Sequence, residues 1–158
     1  VYIHVMKAGK QKVDIQAAAN EARQICACFK VRQASRLITK AYDEAMRPLG
    51  LKATQFTMLT AAALSDGRVS LTDLAEKLGM DRSTFSRNLG PLEREGLVEL
   101  CDDGFGRARA VRLTKAGRER YAEAVPLWRG AQGDLKAALG EEGWTSFHEQ
   151  MSTAARYA

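Results

Sequence analysis

SLTDLAEKLGMDRSTFSRNLGPLEREGLVELCDDGFGRARAVRLT, residues 70–114, is the stretch whose reading decides the fold. Leu71, Leu74, Ala75 and Leu78 recur at helical spacing and Gly79 interrupts the run. A second amphipathic segment opens at Asp81, carries Phe85, Leu89 and Leu92, and ends at Gly96. Leu97 to Cys101 reads as a short strand, Asp102 to Gly106 as a turn, and Arg107 to Leu113 as a returning strand, after which Thr114 caps another helix. Helix, turn, helix, strand, basic loop, strand is the order of a winged helix-turn-helix. Such a unit offers one helix to a major groove and one loop to the phosphates.

At about 100° per residue, Phe85, Leu89 and Leu92 point inward, which turns Ser83, Ser86, Arg87, Gly90 and Arg94 outward, with Arg82 at the edge. An arginine fork on guanine O6 and N7 is worth about 1–3 kcal/mol of base discrimination, and serines reach base edges or phosphates. The candidate contacts of this helix are therefore Arg82, Ser83, Thr84, Ser86, Arg87 and Arg94. In the hairpin, Arg107 and Arg109 are two apart and share a face, whereas Arg112 falls on the other. Arg107 and Arg109 are the candidate phosphate contacts, adding salt-dependent affinity more than sequence information. The blander readings are a solvated helix face and an ordinary charged hairpin.

The run from Leu71 to Val98, LTDLAEKLGMDRSTFSRNLGPLEREGLV, resembles the reading head of MarR-type repressors. Upstream, Arg47-Pro-Leu-Gly-Leu-Lys-Ala-Thr-Gln-Phe56 is similar to the family's junction between its first two helices. Downstream, Arg107 followed by Val111-Arg-Leu-Thr-Lys-Ala-Gly117 is similar to its passage from wing to helix. The resemblance covers about residues 20 to 156. It implies a dimeric DNA-binding regulator whose cleft, between the N-terminal helices and the reading head, often takes small aromatic acids. The family often has an acidic residue two positions before the first wing arginine, where this chain has Phe105.

A chain of 158 residues with 46% hydrophobic and 27% charged residues fits one small domain. The expected division is a single MarR-like domain over 1–158, with a winged helix-turn-helix over about 54–114 and dimerisation helices over about 13–50 and 115–158. No stretch of about 20 apolar residues exists for a membrane span. Val1 to Val5 form no signal peptide, because Met6 to Lys12 is basic and polar, and Met6 is a candidate start. The expected location is cytoplasmic. Net charge is +5, but residues 67–115 hold nine basic and eight acidic side chains. Basic groups must then be sorted onto one surface, away from Asp73, Glu76, Glu93, Glu95 and Glu99.

Outside the reading head the pattern is helical, so the expected class is mainly α with a small β wing. Glu21 to Leu49 places Ala27, Val31, Ala34, Ile38, Ala41, Ala45 and Leu49 on one face and predicts one long helix closed by Pro48-Leu-Gly50. Thr54 to Leu64 predicts a shorter helix. Lys115–Leu139 and Glu141–Tyr157 predict a C-terminal pair broken at Gly140, with a bend at Pro126. Long terminal helices with no core of their own to cover would find one in a second copy. That predicts a homodimer reading two half-sites of a double-stranded operator about one DNA turn apart.

Enzymatic chemistry finds little support in the sequence. His4 and His148 lack metal-ligand or triad spacing, and no Gly-rich phosphate loop follows a strand, so neither metal nor cofactor is expected. Cys26, Cys28 and Cys101 are odd in number, which argues against a disulfide framework. On one helix, Cys26 and Cys28 would leave about 200° apart and could not meet. The segment Cys28-Phe-Lys-Val-Arg-Gln-Ala-Ser-Arg36 is similar to the stretch around the reactive cysteine of the OhrR-like branch of the family, and Tyr42 falls where that branch keeps a tyrosine. Arg32 stands where the branch has another. The resemblance implies redox sensing by Cys28 and Tyr42; packing of the cysteine, or a small aromatic effector, is the competing reading. Two further alternatives are a winged-helix protein-interaction module without DNA and a thiol-dependent peroxide-reacting enzyme.

Overall fold

The computed structural model describes residues 13–102 and 109–157, and the chain forms two compact units, Val1–Ile38 and Thr39–Ala158. In the first unit, helix α1 (Ile15–Ile25) starts on Asp14, whose carboxylate accepts from the main-chain N–H groups of Gln16 and Ala17 at 3.0 and 3.1 Å. Helix α2 (Ala27–Met46) follows after one extended residue, Cys26, at φ −67° and ψ 112°. The single helix expected over Glu21 to Leu49 is therefore broken. The ladder closes on one side through Cys26 N–H to Ala22 O and reopens on the other through Lys30 N–H to Cys26 O, both at 3.1 Å. The apolar stripe from Ala27 to Leu49 begins just after the break, which is why its periodicity does not register it. Cys26 is not helical, so it and Cys28 are not held on opposite flanks of one helix.

In the second unit α2 ends at Met46, and Arg47–Leu49 forms a 3-10 turn with Pro48 inside it and Gly50 at φ 66° closing it. Helix α3 (Ala53–Ser65) is the hub: Phe56, Met58, Leu59, Ala61 and Ala62 are buried on several sides. Around it pack α5 (Arg82–Arg94), a two-stranded sheet and α6 (Lys115–Ala155), and α4 (Leu71–Lys77) packs on α5 and the sheet. Ser70 caps α4 by accepting from Asp73 N–H at 3.1 Å. Gly79, at φ 63°, then makes the turn into α5 that a residue with a Cβ would make at a cost. Phe85, Leu89 and Leu92 are at most 3% exposed, as their spacing predicts. Each is worth about 1.5–3 kcal/mol in transfer from water.

Strand β1 (Val98–Asp102) pairs antiparallel with β2 (Arg109–Leu113), Val98 opposite Leu113 and Asp102 opposite Arg109. Val98, Val111 and Leu113 face the core, and Glu99 opposes Arg112 across the ladder at 2.7 Å. The expected strand Leu97–Cys101 is displaced by one residue at each end, and the expected Arg107–Leu113 ends at Leu113 as read, its first two residues lying outside the described residues. Where β2 passes into α6 the chain is tightly stapled. Thr114 accepts from Gly117 N–H at 3.0 Å through its hydroxyl oxygen, and the same hydroxyl donates to Gly96 O at 2.6 Å.

Helix α6 breaks where the sequence predicts, at Gly140, at φ 71° and ψ 170°, and its φ/ψ values stay helical through Pro126. In one respect it departs from expectation. Its first half covers a core after all: Gly117 and Ala124 are buried, and Tyr121 and Trp128 stack on Phe56 with ring centroids 5.3 and 5.9 Å apart. Among the described residues no helix is long and apolar enough to cross a membrane.

Candidate nucleic-acid interface

The exposed side of α5 carries the residues that the helical wheel assigns to it. Arg82, Ser83, Ser86, Arg87 and Arg94 are exposed, Thr84 and Gly90 are half-buried, and the apolar stripe beneath them anchors the helix to the core. Gly90 leaves space beside Arg94, whose Nη1 lies 3.5 Å from where a Cβ would stand. Pro91, inside the helix, donates no hydrogen bond to the Arg87 carbonyl one turn back.

Asp81 organises the start of this helix. Its Oδ1 accepts from Thr84 N–H at 2.8 Å and from the Ser83 hydroxyl, while its Oδ2 accepts from the Thr84 hydroxyl at 2.7 Å. Arg87 in turn donates through Nη2 to Thr84 Oγ1 at 3.3 Å. Hydrogen bonds from the Ser83 hydroxyl, then from the hydroxyl and N–H of Thr84, hold the Asp81 carboxyl well below the usual carboxylate range. Ser83, Thr84 and Arg87 are thus brought into one network. The sequence reading treats Asp81 only as a helix start, although its Asp-x-x-Thr spacing is the signal of a side-chain cap.

At the hairpin, Arg109 is exposed at the start of β2, and Arg107 and Phe105 lie outside the described residues. Arg112, on the opposite face, is held by Glu99, whose hydrogen bond and charge raise its pKa. Its work is cross-strand pairing.

Below the reading head lies a cavity of about 500 Å³, lined by Tyr42, Phe56, Thr60, Lys77, Tyr121 and Trp128 among others. Its walls are mostly apolar and aromatic, with hydroxyls from Tyr42, Thr60 and Tyr121 and one cation, Lys77, from the last turn of α4. The sequence reading misses these residues, although Tyr121 and Trp128, seven apart, share a helix face. Tyr42 is half-buried, its hydroxyl donates to Gln132 of α6, and burial pushes its pKa up. Cys28 is exposed, while Cys26 and Cys101 are half-buried. His148 packs against Trp144 and Phe147, with ring centroids 4.3 and 5.6 Å away, and its Nδ1 lies 3.0 Å from the Trp144 carbonyl.

A family model described as "MarR family" matches residues 49–108, from the 3-10 turn to the hairpin. The transcriptional regulator MosR of M. tuberculosis superposes with a TM-score of 0.75 at 36% identity, over 86% of this chain and 97% of that one. Its complex with DNA gives 0.74 at 36%, over 84% and 95%. In sequence, the HTH-type transcriptional regulator YwoH of Bacillus subtilis is 28% identical over 118 residues, 75% of this chain and 85% of that protein. The transcriptional activatory protein BadR of Rhodopseudomonas palustris is 30% identical over 118 residues, 72% of this chain and 63% of its own. With the buried stripe, exposed basic face and paired hairpin all in place, the chain belongs to the MarR family: it is a winged-helix DNA-binding transcription regulator and not an enzyme.

Proposed function

We propose that this regulator works in the cytoplasm as a homodimer. It places α5 of each copy in successive major grooves of a two-fold operator and acts as a repressor that an effector releases. The observation that carries the reading is the exposed face of α5, where Arg82, Ser83, Ser86, Arg87 and Arg94 stand over a fully buried stripe. Arg87 and Arg94 are assigned to base edges, Ser83 and Ser86 to base edges or phosphates, and Arg107 and Arg109 to the backbone. The terminal helices are assigned to the dimer, since Ile15, Ile25 and Leu37 keep 63–76% of their surface exposed in the single chain.

The effector reading favours a small aromatic acid in the cavity. Phe56, Tyr121 and Trp128 offer faces for a ring, and Lys77 offers a charge for a carboxylate from the helix that precedes α5. Thiol oxidation is the second route to release, resting on the exposed sulfur of Cys28. Footprinting on the DNA beside the protein's own gene tests the reading, repeated with benzoate-class acids and with an organic hydroperoxide. A protected two-fold site, lost on adding an acid and accompanied by a change in Trp128 fluorescence, supports the cavity route. Loss with peroxide that Cys28→Ser abolishes supports the thiol route. No protected site at any protein concentration would leave the protein-interaction reading in its place.

A further inference from the structure

We propose that Thr84 is a positioning residue for sequence reading: oriented by Asp81, its hydroxyl aims the Arg87 guanidinium at the groove. The inference rests on the reading of Arg87 as a base contact. A hydroxyl has one proton and two lone pairs. In Thr84 the proton is committed to Asp81 Oδ2 at 2.7 Å, so the lone pairs remain for Arg87 Nη2 at 3.3 Å. The direction of donation is therefore set at Asp81, two hydrogen bonds from the arginine it serves.

This arrangement keeps the arginine charged toward DNA. A carboxylate paired directly with Arg87 would fill its fork and cancel its charge. Here Asp81 is occupied by Ser83 and Thr84, and among the described residues Arg87 forms no salt bridge. Thr84 stands between as a neutral acceptor that takes one of five N–H donors and leaves four. A long side chain exposed on a helix otherwise gives up rotamer freedom when it binds, and holding it beforehand reduces that loss.

The network also dictates what an amide at position 81 would do. Oδ1 faces the Thr84 main-chain N–H, so in Asp81→Asn the amide oxygen must take that place and the NH₂ must face Thr84 Oγ1. The NH₂ donates where the carboxylate accepted, and the Thr84 proton is turned toward Arg87, donor against donor. Asparagine is also a favoured helix cap, so the fold is kept while the orientation is reversed.

Fluorescence anisotropy on the footprinted operator and on a random duplex, in matched salt, tests the proposal through the ratio of the two affinities. Thr84→Val removes the hydroxyl at nearly constant shape and should lower that ratio between about 2-fold and 10-fold, the range expected for one side chain left unordered before binding. Thr84→Ser should restore most of it. Asp81→Asn should lower the ratio likewise, even as loss of a negative charge raises affinity for both duplexes. Added to Arg87→Ala, Thr84→Val should have no further effect.

Separate outcomes separate the two claims. If Arg87→Ala binds the operator like the parent, the base-contact reading fails and the positioning role fails with it. If Arg87→Ala loses specificity while Thr84→Val and Asp81→Asn keep the parent ratio, only the positioning role is overturned. Losses from Thr84→Val and Arg87→Ala that multiply in the double variant overturn it too, because Thr84 would then be acting on DNA by itself. Should Thr84→Val fold poorly in a thermal melt, Asp81→Asn and Thr84→Ser carry the same test.

Discussion

Arg87 and Arg109 are both exposed arginines, but they are held differently and should fail differently. Arg87 projects from a helix face anchored by Phe85 and Leu89, whereas Arg109 pairs with Asp102 at the last rung of a two-stranded ladder. Arg87→Ala should cost about 1–3 kcal/mol on a specific operator and little on random DNA. Arg109→Ala should weaken every duplex and reduce the slope of log affinity against log salt by about one. Gel-shift titrations at several salt concentrations check both, and equal losses on specific and random DNA would sink the division of labour. Asp81 supplies a second prediction at this scale. Its folded pKa lies below the ordinary 3.8, so the folded chain binds this proton less readily than the unfolded chain. That contribution is fully present above pH 3.8 and lost as the pH falls below it. Asp81→Asn does not titrate, so thermal melts should show the parent losing its advantage over the variant as the buffer is taken from pH 7 to pH 3. Parallel curves across that range would refute the linkage.

Elements meet most tightly where the hairpin passes into α6. A Cβ on Gly117 would lie 1.8 Å from the carbonyl oxygen of Leu97, an impossible approach against main chain that is itself held by the hydrogen bond from Thr114 N–H to that oxygen at 3.1 Å. Gly117→Ala must therefore push α6 away from the start of β1. It should destabilise by about 1–3 kcal/mol, the usual cost of overpacking. The strain falls on the base of the hairpin, so backbone contacts from Arg109 should weaken along with stability. Chemical denaturation reads the first effect and random-duplex affinity the second. An unchanged midpoint would mean that the helix start can slide without cost.

Over the whole molecule, the terminal segments carry more apolar surface than a lone chain hides. Ile15 and Ile25 in α1 are more than 70% exposed, and beyond Gly140 Met151 is 39% exposed while Trp144 and Phe147 are half-buried. Deleting residues after Gly140 should leave the core of the reading head intact, because the buried contacts of α6 come from Gly117 and Ala124 in its first half. The truncated chain should run as a monomer or aggregate by light scattering and bind a two-fold operator poorly. A soluble truncated dimer with full operator affinity would contradict the assignment of these helices to the dimer.

The order of elements and the reading face were legible in the sequence because both depend on neighbours within a few positions. Apolar residues at 85, 89 and 92 can be buried together only by turning 83, 86, 87 and 94 outward, and Ser70, Asp81 and Thr114 each cap the N–H three residues ahead. Tertiary structure decided what depends on distant partners or on a rotamer. The break at Cys26 falls just before the periodic stripe that begins at Ala27, and the burial of the first half of α6 follows from Phe56 stacking on Tyr121 and Trp128, 65 and 72 positions away. The cavity beneath the reading head exists only because α3, α4 and α6 hold those rings and Lys77 apart. Capping at Asp81 was written in its spacing, but the handing of the Thr84 proton to that carboxylate, and of its lone pair to Arg87, was settled by side-chain torsions in the folded chain.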